Sequence, residues 1–133
     1  MNKSQLESFL AEQIKTCPIP VLRTEVNKFV LANLKKFSKK SQSELLEQSW
    51  IPCDASFFYL TRAEAKRMKT SRRFIVLQHS GSVARDIGNL FHEIGHHECY
   101  RRHCECSCNS AINALSEYHA ESYALSRALR TPG

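Results

Sequence analysis

Apolar residues along most of this chain recur every three or four positions, which is the spacing of amphipathic helices. The first such stretch predicts a helix from Ser4 to about Thr16, with Ser4 and Glu7 as a capping box. Its apolar face consists of Leu6, Phe9, Leu10 and Ile14. The same spacing predicts helices over residues 21–37, 41–48, 61–69, 83–96 and 110–130. In the second of these helices the inward residues would be Leu22, Val26, Phe29, Val30 and Leu34.

Two short apolar runs interrupt the helical pattern. Residues 57–60 and 73–78 are rich in aromatic and β-branched side chains and predict strands. The turn Ser80-Gly81-Ser82 then leads into the helix that follows. We therefore expect an α+β fold, mostly helical, with a small β-sheet.

The length of 133 residues suits one domain with one packed core, so residues 1–133 are taken as a single domain. Residues 1–49 form its helical N-terminal part. No apolar run approaches the roughly 18 residues of a membrane span. The start, Met1-Asn2-Lys3-Ser4, lacks the pattern of a signal peptide, which favours a cytoplasmic protein.

The segment His92-Glu93-Ile94-Gly95-His96 has the H-E-x-x-H arrangement of zinc hydrolases. On a helix, His92 and His96 lie one turn apart on one face, so both imidazoles can reach one cation. Glu93 flanks that face, where a carboxylate can take a proton from a water held at the cation. We therefore predict a Zn²⁺ site in which His92 and His96 are ligands and Glu93 is the catalytic base.

The surrounding helix has a second, apolar face. At 100° per residue the three site residues span roughly 0 to 100°, and the apolar residues fall at roughly 160 to 280°. These apolar residues are Ala84, Ile87, Leu90, Phe91 and Ile94. The pattern predicts a core face opposite a chemical face.

A third ligand is expected from the helix predicted over residues 110–130. Glu117 and Glu121 share one face of it, and Glu117 follows His96 by 21 residues, enough for a turn and a return. His-His-Glu is one known ligand set for catalytic zinc. Glu121 is the alternative ligand, or it orients a ligand histidine through the second ring nitrogen. His97 points away from the His92–His96 face, and His103 misses the spacing of a third histidine by one residue.

Four cysteines lie between the two motifs, at Cys99, Cys104, Cys106 and Cys108. They could hold a second, structural metal, but alternating cysteines do not match the usual C-x-x-C spacing. Reduced or redox-active thiols in a loop are the favoured interpretation. Cys17 and Cys53 are expected to be isolated, buried residues.

The sequence resembles the ImmA/IrrE family of small bacterial and phage zinc metallopeptidases. The resemblance covers about residues 74–129 and depends on a strand at Phe74–Gln78, the motif His92–His96 and the stretch Glu117–Ala124. It implies a zincin-like metallopeptidase domain with zinc held by His92, His96 and Glu117. Glu121 and Tyr123 replace residues that are usually Asn and Phe in that family.

The resemblance also implies an activity. A zinc endopeptidase would hydrolyse one peptide bond in a specific regulatory protein, for example a repressor. Tyr118, His119 or Tyr123 would supply a further hydrogen bond to the oxyanion. In zincins a substrate can pair with a strand beside the active-site helix, and the strand at Phe74–Gln78 is the candidate. The alternative is a catalytically silent binding module, such as a phage or plasmid factor that captures a host protein or nucleic acid.

The net charge of +6 is concentrated in one stretch, residues 62–73. This stretch contains Arg62, Lys66, Arg67, Lys69, Arg72 and Arg73 against the single acid Glu64. It predicts either a solvated helix with its turn or a surface that meets nucleic acid or an acidic protein. No aromatic residues alternate with these charges, so stacking on single strands is not expected.

Overall fold

The computed structural model describes residues 2–48, 54–101 and Arg127. Its helices are α1 (Lys3–Lys15), α2 (Val26–Asn33), α3 (Lys39–Gln48), α4 (Arg62–Met68) and α5 (Val83–Arg101). Its strands are β1 (Val21–Leu22), β2 (Ala55–Tyr59) and β3 (Arg73–Leu77), and a short 3-10 helix covers Leu34–Lys36. The fold is α+β, as predicted. No helix in these ranges is both long and apolar enough to cross a membrane.

The sheet has the strand order β1-β3-β2, so β3 is central. β2 runs antiparallel to β3 over its whole length, and β1 runs parallel to it at Ile75 and Val76. The prediction that a peptide pairs along the strand at Phe74–Gln78 is wrong, because both edges of β3 are already paired within the sheet. The sequence pattern could identify the strand but not its neighbours.

Each face of the sheet contributes to its own hydrophobic core. Alternate residues of β3 face opposite sides, with Ile75 and Leu77 toward α1 and α5, and Phe74 and Val76 toward α2 and α4. The first core also contains Leu10, Ala55, Ile87, Leu90, Phe91 and Ile94. The second also contains Val26, Val30, Phe37, Phe58, Leu60 and Ala65. A strand that is buried on both faces has a continuous run of apolar residues in its sequence. The strand β3 is therefore the easiest one to predict from the sequence.

The helix starts depend on local side-chain caps. Thr61 and Glu64 form the capping box predicted for α4, with hydrogen bonds of 3.1 and 2.9 Å. The first helix differs from the prediction, because Asn2 and Gln5 form its capping box and Ser4 lies inside the helix. Its predicted apolar face is confirmed, since Leu10 is buried and Leu6, Phe9 and Ile14 pack against the first core.

The helix predicted over residues 21–37 is interrupted at both ends. Its first two residues form β1, the α-helix begins only at Val26, and the last residues form the 3-10 helix. Val26 and Val30 face inward as predicted, whereas Leu22 is 39% exposed. The amide of Ile75 donates to the Pro20 carbonyl at 2.9 Å, and the amide of Val26 donates to Gln78 Oε1 at 3.1 Å. These bonds to β3 and the residue after it keep residues 20–25 out of a helix, against their helical spacing.

Candidate metal centre

The first turn of α5 is fixed by a buried carboxylate. Asp86 is 3% exposed, and its Oδ1 accepts hydrogen bonds from the Ser80 amide at 3.1 Å and the Ser80 hydroxyl at 2.6 Å. Its Oδ2 lies 3.1 Å from the Arg23 guanidinium. Burial by itself would raise the pKa of Asp86, but the hydrogen bonds from Ser80 and Arg23 outweigh it and hold the pKa below its ordinary value. The carboxylate therefore stays ionised and joins the β3–α5 turn to Arg23, the residue that follows β1.

The middle of α5 is held rigidly by its apolar face. Ile87, Leu90, Phe91 and Ile94 are at most 7% exposed and pack against α1 and the sheet, as the sequence predicted. Ala84, also predicted to face the core, is exposed. It lies in the first turn of α5, where solvent reaches the helix. Because the apolar face is anchored, the opposite face has a fixed orientation.

That opposite face brings His92, Glu93 and His96 together. One potential ligand atom from each residue lies within 4.8 Å of the others. The two imidazole rings meet edge to face, with centroids 4.9 Å apart and an interplanar angle of 78°. Glu93 is 8% exposed, and both histidines are half-buried. The grouping expected from the H-E-x-x-H spacing is therefore present.

The chemistry of this donor set fits a zinc ion. Two nitrogens that bind one zinc at about 2.0–2.1 Å lie roughly 3 to 4 Å apart, and the candidate ligand atoms here lie within 4.8 Å of one another. Imidazole is a preferred zinc ligand, and a carboxylate beside it can bind the ion or a water. The three residues can thus hold a cation from one side, and a complete catalytic site needs a ligand from another element.

His97 lies apart from this group, as predicted. It is 5% exposed, and its ring centroid is 5.9 Å from that of Phe57 on β2. The His97 side chain therefore packs against the sheet, away from the face of α5 that contains His92 and His96. His97 therefore contributes to packing.

The other predicted site residues lie outside the described residues. They are Glu117, Glu121, Tyr118, His119, Tyr123, Cys104, Cys106 and Cys108, together with the side chain of Cys99. Cys53 also lies outside this part of the chain. Cys17 is a free cysteine and is half-buried, less than predicted, and burial raises the pKa of its thiol.

Arg127 is the one described residue that follows α5 in the sequence. Its guanidinium carbon lies 5.1 Å from the centre of the Phe91 ring, and its Nη2 donates to Gln13 Oε1 at 3.0 Å. Phe91 immediately precedes His92. Arg127 therefore contacts both α1 and α5, at the apolar face of α5.

The polar network around Arg23 was not predicted from the sequence. The guanidinium lies 2.6 Å from His79 Nδ1, which accepts because a guanidinium can only donate, and 3.4 Å from the Leu77 carbonyl. The signal for Asp86 was present, since an acid in the first turn of a helix after a Ser-Gly-Ser turn is a typical capping arrangement. Arg23 gave no such signal, because it is 63 residues away in sequence.

Comparison of the chain with protein-family models, with curated proteins and with solved structures gave no match.

Proposed function

We propose that the chain is a zinc-dependent endopeptidase that hydrolyses a peptide bond in a specific regulatory protein, such as a repressor. The observation that carries this proposal is the grouping of His92, Glu93 and His96 on one face of α5. The order and spacing of these residues, and the resemblance of residues 74–129 to ImmA/IrrE metallopeptidases, support the same function.

In this proposal His92, His96 and Glu117 hold the zinc. The position of Arg127 supports a return of the C-terminal segment to α5, as a ligand from that segment requires. Glu117 and Arg127 are ten positions apart, a distance of about 15 Å if they belong to one helix. A bound zinc would polarise the substrate carbonyl and lower the pKa of a water to about 7.

Glu93 moves the proton in this reaction. Its carboxylate takes a proton from the attacking water and passes it to the nitrogen of the leaving amine. Burial of Glu93 beside the two histidines excludes most bulk water from this carboxylate, which strengthens its interactions in the site. Tyr118, His119 or Tyr123 would donate to the oxyanion.

A catalytically silent module that captures a protein or nucleic acid is the competing function. A metal that only stabilises the fold needs ligands and no base. A carboxylate is costly to bury, and Glu93 is buried beside both histidines. This position favours the peptidase.

The decisive experiment uses Glu93→Gln as a trap for the substrate. Both proteins are used to capture partners from the producing cell, and the masses of the captured proteins are measured. We expect wild-type protein to yield a cut partner, and Glu93→Gln to yield the same partner intact and still bound. Loss of a general base typically lowers the rate by about 10²–10⁴.

The matched control is Glu12→Gln, the same substitution at an exposed position of α1. It should cut as wild type does. An intact partner with all three proteins would contradict the peptidase and support the capturing module.

A further inference from the structure

Two basic segments that are separate in sequence meet in the structure. Arg67 Nε donates to the Lys36 carbonyl at 2.9 Å, and the Ser38 amide donates to Glu64 Oε2 at 2.8 Å. The 3-10 helix and the start of α3 therefore run alongside α4. Their basic residues are Lys35, Lys36, Lys39, Lys40, Arg62, Lys66, Arg67, Lys69, Arg72 and Arg73, which we call the basic surface.

Within the part of the chain that the structure describes, the ion pairs do not involve the basic surface. Arg73 is half-buried, and its other nine members are exposed. Glu64 is the one acidic residue within 35–40 and 62–73, and it is 2% exposed and accepts from the Ser38 and Thr61 amides. The ion pairs Arg23–Asp86 and Arg85–Asp54 lie elsewhere. A concentrated positive field of this kind attracts polyanions.

The α4 part of the basic surface and the metal-ligand candidates lie on opposite sides of the sheet, whereas Arg73 shares the face of β3 that contains Ile75. Ala65 of α4 packs in the core with Phe74 and Val76, whereas α5 packs in the core with Ile75 and Leu77. A partner that contacts α4 is therefore separated by the sheet from the helix that contains His92 and His96.

We propose that the basic surface binds the phosphate backbone of duplex DNA without reading its sequence. Interfaces with nucleic acid are polar and strongly positive, whereas protein interfaces have an apolar centre and membrane-binding helices have an apolar face. The exposed large apolar side chains of the described residues are Leu22, Leu31, Leu46 and Tyr59. Leu22, Leu31 and Leu46 lie outside the two basic segments, and Tyr59 lies under the guanidinium groups of Arg72 and Arg73. The two segments therefore present charged groups and no apolar centre, which favours nucleic acid over a protein or a lipid surface.

A duplex fits this surface better than a single strand. Single strands are held by aromatic side chains on which bases stack. The aromatic residue beside the basic surface is Tyr59, and the guanidinium carbons of Arg72 and Arg73 lie 5.2 and 4.7 Å from the centre of its ring. The ring is therefore already used in cation–π contacts, and the remaining groups are point charges suited to phosphates.

The test is binding of the full-length protein to a fluorescent DNA duplex of about 20 base pairs, measured by anisotropy over a salt series. We expect the logarithm of the association constant to fall linearly with the logarithm of salt concentration. Lys36→Gln combined with Lys66→Gln should weaken binding about ten-fold or more near 0.1 M salt and reduce the slope by about 2. Both lysines are exposed.

The matched control is Lys3→Gln combined with Lys15→Gln, which removes the same charge from exposed positions of α1. It should keep at least most of the affinity and the wild-type slope. Equal losses in the two double variants would overturn the proposal. Tighter binding to single-stranded DNA of the same sequence, to phosphatidylserine vesicles or to polyglutamate than to the duplex would also overturn it.

Discussion

Glu64, Asp86 and Glu93 are carboxylates that are each at most 8% exposed. Burial of a carboxylate costs several kcal/mol unless charges or hydrogen bonds offset it. Glu64 accepts from backbone amides at a helix start, and Asp86 accepts from Ser80 and pairs with Arg23. Both therefore have structural roles. Glu93 lies beside two histidines, which is the position that a catalytic base requires.

Asp86→Asn should lower the free energy of unfolding by about 1–3 kcal/mol at pH 7, because Arg23 loses its charge partner in a mostly buried position. Urea denaturation measures this change. The control is Asp54→Asn, since the Arg85–Asp54 pair is far more exposed and should contribute less than about 1 kcal/mol. Equal effects of the two substitutions would contradict a special role for Asp86.

The contribution of Asp86 to the free energy of unfolding should depend on pH. The pKa of Asp86 in the folded protein lies below its unfolded value of about 4, so its contribution is complete above that value. It is lost as pH falls through the folded pKa. The stability difference between wild type and Asp86→Asn should therefore shrink as pH is lowered from about 5 to about 2. A constant difference over this range would show that the charge of Asp86 does not stabilise the fold.

Glu117 is expected to be the third zinc ligand, with Glu121 orienting a ligand histidine. Glu117→Ala should abolish tight zinc binding. Glu121→Ala should weaken it by about 10- to 100-fold, which is typical when a supporting hydrogen bond to a ligand is lost. Titration with a zinc-selective fluorescent chelator measures both affinities. If Glu121→Ala removes the zinc and Glu117→Ala does not, the two roles are reversed.

At the scale of elements, the sequence predicted the segments whose signals are local. The capping box of α4, the apolar run of β3 and the two faces of α5 are all encoded within a few residues. β1 is different, because Val21 and Leu22 have no strand pattern of their own and depend on the bond between Ile75 and Pro20. The centrality of β3 is likewise set by its partners. Such tertiary hydrogen bonds override a helical spacing that is only a weak preference.

Glu64 links the start of α3 to the start of α4, and its substitution measures how much this link stabilises the fold. Its two oxygens accept from Thr61 and from Ser38, so Glu64→Gln leaves one amide facing an NH₂ donor. We expect a loss of about 1–2 kcal/mol in the free energy of unfolding. Glu44→Gln, an exposed change in α3, should stay within about 0.5 kcal/mol. Similar values for both would mean that this link contributes little to stability.

The cysteine cluster is predicted to be dispensable for the catalytic zinc. Replacement of Cys104, Cys106 and Cys108 by Ser should leave the zinc content of the protein unchanged, because thiols in a loop do not bind the metal in this account. Elemental analysis before and after the replacement checks this. Loss of a second equivalent of metal would instead assign the cluster to a structural site.

At the scale of the whole molecule, the sheet separates two surfaces with different chemistry. Helix α5, with His92 and His96, packs on the same side of the sheet as α1, and α4, with most of its neighbouring basic residues, packs on the other side. The grouping on α5 was predictable because it depends on one helical turn. The meeting of the basic segments was not, since it depends on contacts between residues such as Lys36 and Arg67, which are 31 positions apart.

The central claim is that His92, Glu93 and His96 form a catalytic zinc site, and the zinc content of purified variants tests it most directly. Elemental analysis should give one tightly bound zinc per wild-type chain and per Glu93→Gln chain, since that substitution leaves both imidazoles in place. His92→Ala should contain none, while His79→Ala, which removes an exposed histidine outside the group, should retain the metal. A full complement of zinc in His92→Ala, or none in the wild type, would contradict the account.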